Sequence, residues 1–272
     1  MLGRAWRAWL KGQQVAYHAP QSKDCNLADH ESLTACIQPQ FAAVINCAAM
    51  TDVDGCESSI ERALQVNGTG VGELARHCGE LQIPLVHYST DYVFDGCGSA
   101  PYRTDAPRRP LNAYGRSKAY GEELIEAAGG PHLLLRTSWL YAAWGKNFVR
   151  TIARLAAERP TLRVVNDQRG RPTACNTLVA ASWQLLAQEC RGTFHVTDDG
   201  ECTWFDLAAE VVRLAGAACE VQPCTTAEYP RPAKRPAYSV LDLSPTVAAI
   251  GDLPHWRQSL AQTITCLEPL AV

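Results

Sequence analysis

The chain predicts an α/β fold built on a doubly wound parallel sheet, and three observations carry that expectation. Short β-rich runs alternate with longer helical stretches. The apolar run 85–88 leads into Ser89-Thr-Asp91, which sets hydroxyls at the carboxyl edge of a sheet, where open α/β folds bind ligands. Downstream, Tyr114-Gly-Arg-Ser-Lys118 places a phenol and an ammonium one helical turn apart on a single face.

Taken in order, residues 1–10 carry apolar spacing that fits a helix packed on a sheet better than a basic presequence, since only Arg4, Arg7 and Lys11 are charged there. Strands are predicted at 15–18, 43–47, 85–88, 133–137 and 162–165, with helices at about 58–80, 112–127 and 146–158. Gly129-Gly-Pro131 and Arg159-Pro160 break the last two helices. Beyond about residue 172 a helix near 176–189, a strand at 192–196 and a helix at 203–215 precede a Pro-rich stretch, 229–236, where a long helix is excluded. The expected division is a dinucleotide-binding domain over 1–172 and a smaller mixed α/β substrate-binding lobe over 173–272, with some segments returning to the first domain.

A doubly wound dinucleotide fold, of the Rossmann type, normally opens with a strand, a Gly-rich turn and a helix whose N-terminus faces the pyrophosphate. Here the chain runs from Met1 straight into the helical pattern, and Gly3 is read as the last glycine of a G-x-x-G-x-x-G turn and a cofactor contact. The expectation is that a start codon has been placed too late and that about ten further residues supply the first strand.

With 272 residues the chain is long enough for one large domain or two lobes, and 47% hydrophobic and 19% charged residues are ordinary for a soluble globular protein. The net charge of −3, with scattered Lys and Arg, argues against a nucleic-acid surface. No apolar stretch reaches the roughly twenty residues a membrane span needs. Twelve cysteines include no C-x-x-C pair and no zinc-like spacing. They read as reduced thiols of a cytoplasmic protein, with no metal site expected.

Reducing a ketone requires a hydride on carbon and a proton on oxygen. Tyr114 is the candidate proton donor, and a free phenol, with pKa of about 10, holds its proton tightly. Lys118 is expected to bring that value down. Thr90 is expected to share the developing alkoxide. Arg235 reads equally as a diphosphate donor or as half of a salt bridge. Asp167 and Gln168 carry no assignment beyond bracing a loop.

Longer segments point further: 46–54, 66–69, 87–96, 110–118, 135–141, 145–151, 166–173 and 235–241. In this order they resemble the extended short-chain dehydrogenase/reductases, and within them the dTDP-4-dehydrorhamnose reductase family. The match covers almost the whole chain. It implies Thr90, Tyr114 and Lys118 as catalytic residues. It implies Cys47, Ala48, Ala49, Tyr114 and Lys118 along the cofactor, with Asn26 and Leu27 on the adenine side, although the family usually has an acidic residue where Asn26 stands. Thr51, Val53, Thr90, Asp91, Tyr92 and Trp139 match positions lining the sugar-nucleotide pocket.

The expected reaction is reduction of the C4 ketone of dTDP-4-dehydro-L-rhamnose. The cofactor is read as NADPH, with NADH as the alternative. No acid follows the 15–18 run until Asp24, and Lys23 and Arg4 are candidates for a 2′-phosphate. The alternatives are another nucleotide-sugar reductase or epimerase, and a non-catalytic regulatory subunit resembling that of methionine adenosyltransferase. A homodimer is common in the family.

Overall fold

A computed structural model describes residues 1–268. At its centre are four parallel strands, β1 (Val44–Asn46), β2 (Leu85–Thr90), β3 (His132–Thr137) and a strand at Gly192–His195, hydrogen-bonded in that order. Every residue of β2 is buried. That is the signature of a parallel strand covered on both faces, and the two faces can be named. Val86, Tyr88, Leu133 and Leu135 pack with Leu2, Ala5, Trp6 and Leu10 of the first helix and with Leu178, Val179 and Leu185 of the Cys175–Ala187 helix. Leu85 and Leu134 pack on the other side, with Leu33, Leu74, Ala75 and Ile125.

The first helix, Leu2–Gly12, is therefore a sheet-packing element, as its apolar spacing predicted. Trp6 Nε1 donates to Tyr88 Oη at 2.7 Å, and that hydroxyl donates on to Ser182 Oγ at 2.9 Å, so the two helices on this face share one buried hydrogen-bond chain.

Two strand expectations are corrected. Residues 15–18 form no strand: they are exposed, and β1 is the sheet's edge among the described residues, so no neighbouring ladder takes up their backbone groups. The strand at Thr161–Val165 lies outside the central sheet and pairs in parallel with Glu220–Cys224. The place beside β3 is filled by Gly192–His195, a segment from beyond residue 172. A second apolar cluster surrounds the Thr161–Val165 pair, with Val149, Ile152, Leu207, Val211, Trp256 and Leu260 at its centre.

The helix predicted at 58–80 is one rod with a defect. Helical turns at Ile60–Leu64 and Gly70–Glu80 flank a wider π-turn at Gln65–Thr69. Such bulges cluster at functional sites. Here the defect presents Asn67, whose amide accepts from Met50 N and donates to Met50 O, both at 2.9 Å, and donates to Ser117 Oγ at 3.0 Å. One side chain thus fixes the loop after β1 to the helix that carries Tyr114. Gly121 permits the approach, because a Cβ there would lie 2.1 Å from the Asn67 carbonyl oxygen.

Candidate active site

Tyr114 stands in the first turn of the Ala113–Ala128 helix, and its neighbours hold that turn in place. Asn112 caps the helix, its Oδ1 accepting from Gly115 N at 2.7 Å while Nδ2 donates to the Lys234 carbonyl at 2.8 Å. Glu57 Oε1 accepts from Ala113 N at 2.7 Å, so two of the orphan amides at this end are satisfied by side chains, one from the cap itself and one from a distant segment. Gly115 is required for close approach: a Cβ would sit 2.1 Å from the Tyr92 carbonyl oxygen. The turn is thereby pressed against the segment that follows β2.

That segment begins at Thr90, whose Oγ1 accepts from Tyr92 N at 3.2 Å and donates to Asp91 Oδ1 at 3.0 Å. The Tyr114 ring meets the Tyr92 ring edge-on, with centroids 6.1 Å apart. Thr90 is close enough to the phenol to influence its titration. The structure therefore brings Thr90, Asp91, Tyr92 and Tyr114 together at the carboxyl edge of β2.

Burial, seconded by the charge of Asp91, raises the Tyr114 pKa above the usual phenol value, and Thr90 opposes the rise. The expected lowering by Lys118 is corrected here. Lys118 Nζ turns inward, donating to the Tyr88 carbonyl at 2.6 Å and lying 3.0 Å from His87 Nε2. Burial lowers the Lys118 pKa to about 8, with Glu122 opposing. Burial also lifts Asp91 to about 7, against the hydrogen bonds of Ser239 and Thr90. A carboxyl held near neutrality, a softened ammonium and a phenol that keeps its proton share one region.

Gly3 lies against Cys47, where a Cβ on the glycine would be 3.6 Å from that of the cysteine. Cys47 and Ala49 are half-buried at the end of β1, and Ala48 is exposed. Asn26 closes a turn, its Oδ1 accepting from Ala28 N at 3.0 Å, and Leu27 is buried under Gly70. Arg4 is not a free phosphate donor: Glu268 pairs with its guanidinium, which lies 4.8 Å over the Trp144 ring. Thr51 is exposed and Val53 half-buried at the start of the Val53–Ser58 helix.

Trp139 takes a left-handed backbone, with φ of 48°, uncommon for a bulky residue. Its indole stacks on Trp204 at 3.7 Å between centroids and covers Gly170, where a Cβ would meet it at 2.8 Å. Of the two readings of Arg235, the ion pair is present: Nη1 reaches Asp54 Oδ1 at 2.6 Å, and Arg231 joins the same carboxylate. Asp54 is held far below the usual carboxylate range, first by Arg235. Asp167 and Gln168 do brace a loop, both bonding Thr226.

Sequence reasoning passed over Asn46, His87, Asn67, Glu57 and Trp204. His87 stood inside the motif already singled out, but nothing in one dimension places it under Lys118. Asn67 needed the π-turn to be seen, and Trp204 needed the pairing with Trp139.

A parallel sheet covered by helices on both faces, with Thr90, Tyr114 and Lys118 gathered toward its carboxyl edge, is the architecture expected of the extended short-chain dehydrogenase/reductase fold. Comparison narrows the class. The RmlD substrate-binding domain matches residues 1–268. A dTDP-4-dehydrorhamnose reductase of Streptomyces griseus is 39% identical, across 98% of this chain and 91% of that protein. The spore coat polysaccharide biosynthesis protein SpsK of Bacillus subtilis is also 39% identical, across 92% and 89%. Among solved structures, the dTDP-4-dehydrorhamnose reductase of Bacillus anthracis in complex with NADP superposes with a TM-score of 0.94 at 30% identity, covering 97% of this chain and 95% of that one. The chain belongs to the RmlD substrate-binding-domain family, that of the dTDP-4-dehydrorhamnose reductases.

Proposed function

We propose that this protein reduces the C4 ketone of dTDP-4-dehydro-L-rhamnose to dTDP-L-rhamnose, with NADPH as the preferred cofactor and Tyr114 as the proton donor. The observation that carries the reading is the phenol of Tyr114 beside Thr90 at the carboxyl edge of β2, with Lys118 one turn along the same helix. The NADP bound by the Bacillus anthracis relative supports the choice of cofactor.

The residues present suit a nicotinamide dinucleotide. Small side chains at Gly3, Ala48 and Ala49 leave room at the end of β1, and Ser89 Oγ, near the carboxyl end of β2, is a buried hydroxyl without a hydrogen-bond partner among the described residues. Lys118 would hold the ribose, and Asn26 and Leu27 would border the adenine. When bound, the nicotinamide supplies the hydride. The chain's own residues manage the proton. Tyr114, kept neutral by burial, gives its proton to the sugar oxygen as that oxygen becomes an alkoxide, a much stronger base than phenolate. Thr90 shares the developing negative charge. Trp139, backed by Trp204, offers an indole face to the sugar nucleotide, while Thr51, Val53, Asp91 and Tyr92 line the same side.

The test is oxidation of NADPH with dTDP-4-dehydro-L-rhamnose as acceptor, followed by identification of the product sugar. Turnover yielding dTDP-L-rhamnose is expected. Turnover with a different keto sugar alone would assign another substrate. No turnover with any nucleotide keto sugar would leave the non-catalytic reading.

A further inference from the structure

Asp91 follows directly on β2, the strand that delivers Thr90, and is only 2% exposed. Its Oδ1 is hydrogen-bonded to Thr90 Oγ1 at 3.0 Å, and its Oδ2 is buried with no hydrogen-bond partner among the described residues. The groups packed around it supply no paired cation. The Ala113–Ala128 helix contributes the phenol of Tyr114, the turn after β2 that of Tyr92, and the segment 235–241 the hydroxyl of Ser239. Arg235, the cation of that last segment, is bound to Asp54 of the Val53–Ser58 helix, and Lys118 donates to the Tyr88 carbonyl. A carboxylate in that setting is desolvated without a counter-charge, and a buried carboxyl meets such a cost by keeping its proton.

The protonation state decides what Thr90 can do. A hydroxyl has one hydrogen and two lone pairs. One lone pair of Oγ1 accepts from Tyr92 N at 3.2 Å. With Asp91 ionised, the single hydrogen goes to Oδ1, and Thr90 turns only a lone pair toward the phenol and the sugar oxygen. With Asp91 neutral and its proton on Oδ1, that O–H donates to the second lone pair and releases the threonine hydrogen for the developing alkoxide. Only protons change place. We infer that Asp91 is a positioning residue that works as a neutral acid, donating to Thr90 Oγ1 so that Thr90 can donate to the substrate oxygen.

The role rests on the reductase reading. Thr90 can share the alkoxide charge only as a donor, and the neutral acid sets that polarity before the substrate arrives. It also removes the negative charge that seconds burial in raising the Tyr114 pKa, which eases release of the phenol proton. The rise of the Asp91 pKa to about 7 agrees in direction. Above that value the carboxylate reclaims the Thr90 hydrogen, and reduction should slow.

Two measurements test the acid. Infrared spectra of the ligand-free protein, recorded from about pH 5 to 9, report neutral carboxyl groups by their C=O stretch, with the Asp91 band identified by its loss in Asp91→Asn. The expected result is a band that titrates near pH 7 and moves in Thr90→Val, where its hydrogen-bond acceptor is gone. An Asp91 already ionised at about pH 5, or a band unmoved in Thr90→Val, would overturn the inference whatever the enzyme's activity. The second measurement is the pH dependence of kcat/KM for keto-sugar reduction. The parent should show a basic limb beginning near pH 7, falling about tenfold per pH unit. In Asp91→Asn, whose NH2 group can only donate to Thr90, that limb should be absent whatever the variant's absolute rate. A folded variant whose profile coincides with the parent's would refute the role in turnover.

Discussion

One helix, Ala113–Ala128, carries two buried ionic groups a single turn apart, and the fold treats them in opposite ways. Glu122 is locked. Arg136 reaches it through Nη2 at 2.7 Å and Nε at 3.0 Å, and Arg108 adds a contact at 3.1 Å. Lys118, equally buried, has no carboxylate hydrogen-bonded to it among the described residues and meets a carbonyl and an imidazole instead. A buried charge with its counter-charge is a fixture, and one without it is held near the point of changing state. The lesson is that burial alone does not make a site; burial with incomplete compensation does.

The largest expected effects separate the two groups. Arg136→Met takes from the Glu122 carboxylate its buried partner, leaving the contact with Arg108, and should cost about 3 kcal/mol of stability, read from chemical denaturation, while the folded fraction keeps its turnover number. Lys118→Met should do the reverse. Because the folded pKa of Lys118 lies below its unfolded value, the native state binds fewer protons between about pH 8 and 10.5, and stability contributed by this group rises with pH across that window. Removing the amine should abolish that rise, leave stability at pH 7 equal or higher, and eliminate keto-sugar reduction. Equal stability losses in the two variants would erase the distinction.

Next in size is Thr90→Val, which removes a donor to the developing alkoxide and should lower kcat by about 10²-fold with little change in KM. Smaller still is Asp91→Asn. The folded pKa of Asp91, about 7, lies above its unfolded value, so the native state keeps a proton that the unfolded chain loses. Stability contributed by this residue should fall as pH rises from about 4 to 7, and the amide should flatten that slope in denaturation curves taken across the range.

Most of this arrangement was legible in one dimension, in the parts that repeat locally. Alternating apolar runs marked β2 and β3, and the 3.6-residue period placed Tyr114 over Lys118. What remained hidden depended on contacts between distant segments. Gly192–His195 joins the central sheet and Thr161–Val165 does not, and nothing in the composition of the two strands distinguishes them. The direction of the Tyr114 shift was missed for the same reason. Spacing puts the ammonium on the correct face, but only the fold shows that it turns away toward the carbonyl of Tyr88 and that burial dominates.

The most direct test of the central claim is a single-turnover measurement of NADPH oxidation with dTDP-4-dehydro-L-rhamnose, comparing the parent protein with Tyr114→Phe. The account predicts a rate reduced by about 10²–10⁴-fold with unchanged affinity for the sugar nucleotide. A variant that transfers hydride at the parent rate would show that the proton comes from elsewhere, and the assignment of Tyr114 would be wrong.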